Sequence, residues 1–312
     1  MTGTSARATV LGLGEMGAAI AGALLAGGRP IAVWNRTPER ADALVSRGAS
    51  RAESVRDAVL ASPLVIISVK GGTTARELLE PAADLLAGRA VVNLSDGTSA
   101  EARAVAEWVV DQGADYLHGQ IMTVAPAVGH PDAVVFFGGS AAVHEEHRSV
   151  LGLLGGRGSL ISADAGVPAL YGMAVHGTMW GALNGFLHAA ALLSDEGIEV
   201  KRFLADAEAS VAALVAFLPS LADEVDRGQY ALEFGALQHH LPSVEDLVRE
   251  SRARGIDAEF PEYTRALVTR AIEAGHRNDS YSRLVEHFRS SATVEGMQRA
   301  FVTTTPEDVP AR

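Results

Sequence analysis

The sequence predicts an α/β chain: a doubly wound parallel sheet in the N-terminal half, joined by one long helix to an all-helical C-terminal half. Three observations lead there. Short apolar runs alternate with Ala-rich stretches of helical spacing up to about residue 163. A near-continuous apolar stretch follows, and beyond residue 200 no strand-like run remains.

The apolar runs Ala8–Leu13, Pro30–Trp34, Leu64–Val69, Ala90–Leu94, Ala133–Phe137 and Ser159–Ile161 read as strands. Between them, stretches such as Gly17–Ala26 and Thr74–Leu86 repeat apolar residues at a spacing of about 3.6. Parallel pairing needs crossovers of this length, so strand, helix, strand at this rhythm implies a parallel sheet. From Val167 to about Ser194 the chain reads LYGMAVHGTMWGALNGFLHAAALL, apolar almost all round and rich in Gly and Ala. Such a helix should be buried on most of its circumference and link two domains or two subunits. Helical pattern continues from Val200 to about Ala300, with breaks expected at Leu218–Pro219, Leu241–Pro242, Gly255–Ile256 and Gly275–His276. The last residues, TTTPEDVPAR, have the composition of a disordered tail. The expected organisation is therefore 1–163, a linking helix 164–195, a helical domain 196–300 and a tail 301–312.

With 26 basic against 38 acidic side chains the net charge is −12, and no Lys/Arg block occurs, which argues against nucleic-acid or anionic-membrane partners. No cysteine is present, so disulfides, thiolate metal sites and a Cys nucleophile are excluded. The opening MTGTSARATV lacks the layout of a signal peptide, and no apolar run is read as approaching the ~20 residues of a membrane span. A cytoplasmic enzyme or binding protein is expected.

The run Ala8–Leu11 leads into Gly12-Leu13-Gly14-Glu15-Met16-Gly17 and then an Ala-rich helix, the Gly-x-Gly-x-x-Gly fingerprint of a Rossmann dinucleotide site in its required setting. Gly12 would make the tight turn, Gly14 would admit a diphosphate to the helix N-terminus, and Gly17 would let helix and strand pack closely. Val69, which ends the third predicted strand, and Lys70 after it belong to the same expected cofactor set. At the end of the second strand an NAD enzyme usually places a carboxylate on the ribose 2′-hydroxyl. Here stand Asn35, Arg36 and Thr37, with Arg40 one turn on. An amide, a hydroxyl and two guanidinium groups suit a 2′-phosphate, so NADPH is the expected cofactor.

GLGEMG, WNRTPERA, VVNLSDGT, IMTVAPAVGHPDA and GHRNDSY, with the long helix between, resemble the imine reductases and reductive aminases of the 6-phosphogluconate and β-hydroxyacid dehydrogenase superfamily. The resemblance spans nearly the whole chain. It implies hydride transfer from NADPH to the carbon of an imine or iminium ion, giving an amine. It also implies a homodimer whose C-terminal helices interlock. β-Hydroxyacid dehydrogenases carry a catalytic lysine on the long helix, but this chain has only Lys70 and Lys201. Hydroxyacid oxidation is therefore the alternative, together with a non-catalytic NADPH-binding protein.

The resemblance also exposes two departures. Where family members carry Asp or Tyr as presumed proton donor this chain has Trp180, whose indole cannot lose its proton near neutrality. It can shape the pocket and face an iminium cation. Where reductive aminases carry a second Asp, two turns earlier, this chain has Gly172. Several groups could replace the missing acid. His176 shares a helix stripe with Gly172 and Trp180 and has a suitable reference pKa; otherwise it is a satisfied core histidine. Asp96, after the fourth of the predicted strands, could stabilise a cation or donate a proton, or simply form an Asx-turn before Gly97. His239 and His240 follow a predicted helix in the segment that lines the family's substrate pocket, and at most one should face it. Tyr171 and Tyr230 are phenolic alternatives. A preformed iminium substrate would need no acid. No ligand spacing for a metal is found.

Overall fold

The computed structural model describes residues 8–230 and 235–289. The expected tail 301–312 lies outside them, as do residues 290–300 of the expected helical domain. The chain forms two compact units, 1–179 and 180–312.

The first unit runs β1 (Ala8–Leu11), α1 (Glu15–Ala26), β2 (Ile31–Trp34), α2 (Asp42–Val45), β3 (Ser50–Arg51), α3 (Val55–Leu60), β4 (Leu64–Ile67), α4 (Gly72–Leu79), β5 (Ala90–Asn93) and α5 (Ser99–Asp111). It continues with β6 (Asp115–Ile121), β7 (Val134–Gly139), α6 (Ala141–Glu146), α7 (Arg148–Leu151), β8 (Arg157–Ser162) and the first turns of α8 (Val167–Asp195). The strands order as β3-β2-β1-β4-β5-β6-β7-β8 in one sheet. Crossover helices cover both faces. One core holds Val10, Ile20, Leu24, Ile66 and Phe137; the other holds Leu11, Val65, Ile67, Leu79 and Val109. Strands sandwiched on both faces need unbroken apolar runs, which is why β1, β4 and β5 are legible in the sequence.

Two strands were not expected. β3 has only two residues, both exposed. In β6, DYLHGQI, the His, Gly and Gln interrupt the apolar run. Its register with β5 pairs Asn93 with His118, and its alternation sends Leu117, Gly119 and Ile121 to one face and Tyr116, His118 and Gln120 to the other. β6 and β7 pair antiparallel, so the sheet is not parallel throughout as expected.

α8 extends over 29 residues as anticipated, but its expected burial is not found within one chain. Only Pro168, Ala169 and Gly172 are buried, whereas Leu170, Trp180, Leu183 and Leu187 are 51, 58, 48 and 62% exposed. In the second unit α9 (Val200–Arg227), α10 (Leu237–Ala253), α11 (Glu259–Ala271) and α12 (Val285–Arg289) follow the end of α8. Their small core gathers Leu237, Leu267, Val268, Ala271 and Leu284. Within this unit Arg254 ties the end of α8 to α10 by ion pairs with Asp195, Glu196 and Glu250.

Two expected helix breaks do not occur. Pro219 lies inside α9 and Pro242 inside α10. Each removes one backbone hydrogen bond, at a cost of about 3 kcal/mol in a helix interior, which the surrounding helix absorbs. The breaks at Gly255 and Gly275 are real, and both glycines have positive φ. Among the described residues α9 is the one helix long and apolar enough to cross a membrane by length and composition alone, with an 18-residue stretch of mean hydropathy 1.5.

Candidate active site

The glycine loop closes on β1 and β4 with no spare room. A Cβ on Gly12 would lie 2.2 Å from the Ser68 carbonyl oxygen, and its φ of 92° is itself a glycine conformation. A Cβ on Gly17 would lie 1.9 Å from the Gly12 oxygen. Gly14 is the opposite case: nothing stands within 4 Å of where its Cβ would be. It caps α1 without any side-chain hydrogen bond, so the first-turn N–H groups face open space at the positive end of a 12-residue helix. That is the cradle a diphosphate needs. Glu15 is exposed at the first turn, while Met16 packs against the core. Val69, half-buried, donates its N–H to Ser95 Oγ (3.1 Å), joining the ends of β4 and β5; Lys70 is exposed beside it.

At the end of β2, Asn35 has a different task from the one expected. Its Oδ1 accepts the Leu13 N–H (2.9 Å) and its Nδ2 donates to the Thr37 carbonyl (2.9 Å). Both ends of the amide hold the glycine loop against the β2 turn. Arg36, Thr37 and Arg40 are exposed around it, and neither arginine makes an ion pair among the described residues. The carboxylate that would repel a 2′-phosphate is absent, and two cations stand in its place.

The carboxyl end of β5 and the β6 residues beside it carry a buried polar chain that sequence reading missed. Asn93 Oδ1 accepts the Ser95 N–H (3.0 Å), and Asn93 Nδ2 donates to the Tyr116 hydroxyl (3.0 Å). The hydroxyl in turn lies 3.3 Å from His118 Nδ1. With Asn93 as donor to it, the Tyr116 hydroxyl has its own hydrogen to give to Nδ1, the arrangement that matches the tautomer with its proton on Nε2. That Nε2 is buried and has no hydrogen-bond partner among the described residues. Burial lowers the His118 pKa to about 4, keeping the ring neutral, and pushes the Tyr116 hydroxyl above its usual range. Two residues on, Gln120 is only 7% exposed. A Cβ on Gly172 of α8 would come within 2.7 Å of Gln120 Cγ and Cδ, so the glutamine fills the space a side chain at 172 would take. Interior helical glycine costs about 0.5–1 kcal/mol relative to alanine, and here it makes that room. The alternation of β6 was the available signal: three polar residues at i, i+2 and i+4 on one face.

Asp96 is exposed in the loop between β5 and α5, where the Thr98–Glu101 capping box starts the helix. No Asx-turn hydrogen bond is formed by its carboxylate within the described residues. On α8, Tyr171 packs edge-on to Phe136 (5.5 Å between ring centroids), half-buried His176 lies one turn beyond Gly172, and exposed Trp180 one turn further. In the second unit His239 and His240 lie in the first turn of α10. His239 is exposed, and His240 meets Tyr281 edge-on at 5.3 Å. Tyr230 donates to Glu286 and lies under the Arg283 guanidinium. The first unit thus brings Asp96, Tyr171 and His176 into one body; Trp180, His239, His240 and Tyr230 belong to the other. No cluster of metal-ligating side chains occurs among the described residues.

Comparison with known proteins gives a consistent match. The NAD-binding domain of 6-phosphogluconate dehydrogenase matches residues 7–164, and the C-terminal domain of NADPH-dependent reductive aminase-like proteins matches residues 164–290. An NADPH-dependent reductive aminase of Aspergillus oryzae is 33% identical over 290 residues, covering 92% of this chain and 98% of that protein. A reductive aminase from Aspergillus terreus, solved with NADPH and ethyl levulinate, is 34% identical with a TM-score of 0.85, covering 91% of this chain and 100% of that one. An imine reductase from Bacillus cereus is 33% identical with a TM-score of 0.86, covering 91% and 99%.

Proposed function

This chain belongs to the family of imine reductases and reductive aminases, and on that premise we propose how its own residues divide the work. It is an NADPH-dependent oxidoreductase acting on C=N bonds. When bound, NADPH supplies the hydride that converts the imine or iminium carbon into that of an amine. The N-terminus of α1 binds the diphosphate through Gly12, Gly14 and the N–H groups beyond, and Gly17 keeps helix and strand close enough for it to approach. Arg36, Thr37 and Arg40 take the 2′-phosphate, while Asn35 holds the loop that positions them. Val69 and Lys70 border the cofactor from the end of β4.

One observation carries C=N reduction over hydroxyacid chemistry: α8 contains no lysine, and the two lysines of the chain lie elsewhere. For the proton, His176 is the first candidate, because it follows Gly172 and precedes Trp180 at four-residue spacing along α8. Asp96 is exposed at the ligand edge of the sheet and suits electrostatic stabilisation of a cation. Tyr171, His239 and His240 remain secondary donors. NADPH oxidation followed with a cyclic imine, a carbonyl plus amine, and a hydroxyacid tests the assignment. Turnover of the hydroxyacid alone overturns it.

The exposed apolar faces of α8 and α9 support a homodimer as the working form. On α9, Val211, Leu214 and Val215 are 50, 60 and 61% exposed, and the apolar stretch of that helix is better covered by a second copy than by lipid, since Asp206 and Glu208 lie in or beside it. An interface along both helices belongs to the large hydrophobic class, above ~2,000 Å². A cytoplasmic location is part of the same proposal, and cell fractionation tests it.

A further inference from the structure

Two neutral groups with unmet hydrogen bonds stand side by side on one face of β6, at the carboxyl edge where doubly wound sheets hold their ligands. His118 Nε2 is buried without a partner among the described residues. The side chain of Gln120, a residue 7% exposed, takes no hydrogen bond within them. A glycine in the interior of α8 is unfavourable, yet the chain keeps one here, and the space it leaves is taken by the Gln120 side chain. The amide so held has a donor and an acceptor that no protein group uses among the described residues, which leaves both for a ligand. The line Gly172, His176 on α8 begins at this amide, which places it beside the first candidate for the proton.

We propose that Gln120, backed by His118, is a substrate-positioning residue that binds the nitrogen end of the C=N substrate. Its Nε2–H donates to the lone pair of a neutral imine, and its Oε1 accepts from the N–H of the protonated imine or product amine. A permanently charged N-methyl iminium has neither lone pair nor N–H and gains nothing from it. Gln120 thereby sets a preference for imines whose nitrogen carries a lone pair or a proton over fully N-substituted iminium ions. This rests on the assignment of the chain to C=N reduction.

The test compares wild type with Gln120→Leu and the equally long Gln120→Met on one cyclic imine and its N-methyl iminium counterpart. NADPH affinity and melting temperature serve as controls for the fold. Loss of one hydrogen bond should raise KM for the imine roughly tenfold. Values for the N-methyl iminium should stay within about twofold by the same reasoning. Equal loss on both substrates, or no loss on either, overturns the role of Gln120. Wild type that turns over neither substrate overturns the C=N assignment and this inference with it.

Discussion

The double substitution Arg36→Ala, Arg40→Ala should weaken NADPH binding about 100-fold and leave NADH nearly unchanged. Neither guanidinium makes an ion pair among the described residues, so their removal strands no carboxylate in the protein. The glycine loop should keep its shape, because Asn35 rather than either arginine ties Leu13 to the β2 turn, at 2.9 Å. A charge-assisted hydrogen bond is worth about 1.5–3 kcal/mol, and exposed groups belong at the lower end. Two such contacts give about 3 kcal/mol, or two decades in Kd. Titration of each cofactor by quenching of protein fluorescence measures the effect, and KM values give it independently. Screening adds a second signature: wild-type NADPH affinity should fall more steeply with ionic strength than that of the variant. Equal weakening of both cofactors, or none of either, refutes the assignment of the 2′-phosphate to this corner.

Three further perturbations follow. His176→Phe should lower kcat about 10²-fold while NADPH binding is kept, and Trp180→Phe should cost less; wild-type rates for the His176 variant on both imine and N-methyl iminium substrates would remove it as proton donor. If the proposed homodimer uses α9, Leu214→Arg should give a monomer by light scattering where wild type is a dimer, because a leucine buried there contributes about 1.5–3 kcal/mol and a two-fold axis counts it twice; a variant dimer stable on dilution would place the interface elsewhere. His118 supplies a pH-dependent stability difference. Its folded pKa of about 4 lies below the unfolded value near 6.5, so the unfolded state binds the proton more readily. Stability is full above pH 6.5 and falls as pH drops toward 4, by about 3 kcal/mol from this group. Denaturant melts of wild type and His118→Asn over that range should converge at low pH; parallel curves would refute it.

Much of this protein follows from its sequence. The glycine fingerprint is readable because each glycine answers a local demand: positive φ at Gly12, an open approach at Gly14, and a helix touching a strand at Gly17. The strands β1, β2, β4 and β5 are legible because a doubly covered parallel sheet needs continuous apolar runs, and the absence of lysine from α8 can be counted. Other features depend on neighbours far away in sequence. β6 looks polar until its pairing with β5 and β7 separates Tyr116, His118 and Gln120 onto one face. Asn35 reads as a phosphate ligand until the glycine loop closes over both ends of its amide. Gly172 reads as a missing side chain, while the fold shows that Gln120, 52 positions earlier, has taken its volume. Pro219 and Pro242 read as stops, but helix continuity is decided by the sum of packing along the element, against which one lost hydrogen bond is small. Backbone conformation at a glycine and the period of an apolar run are local quantities, written in a few adjacent residues. Which polar group meets which, and whose side chain fills a gap, is set only when distant segments are brought together.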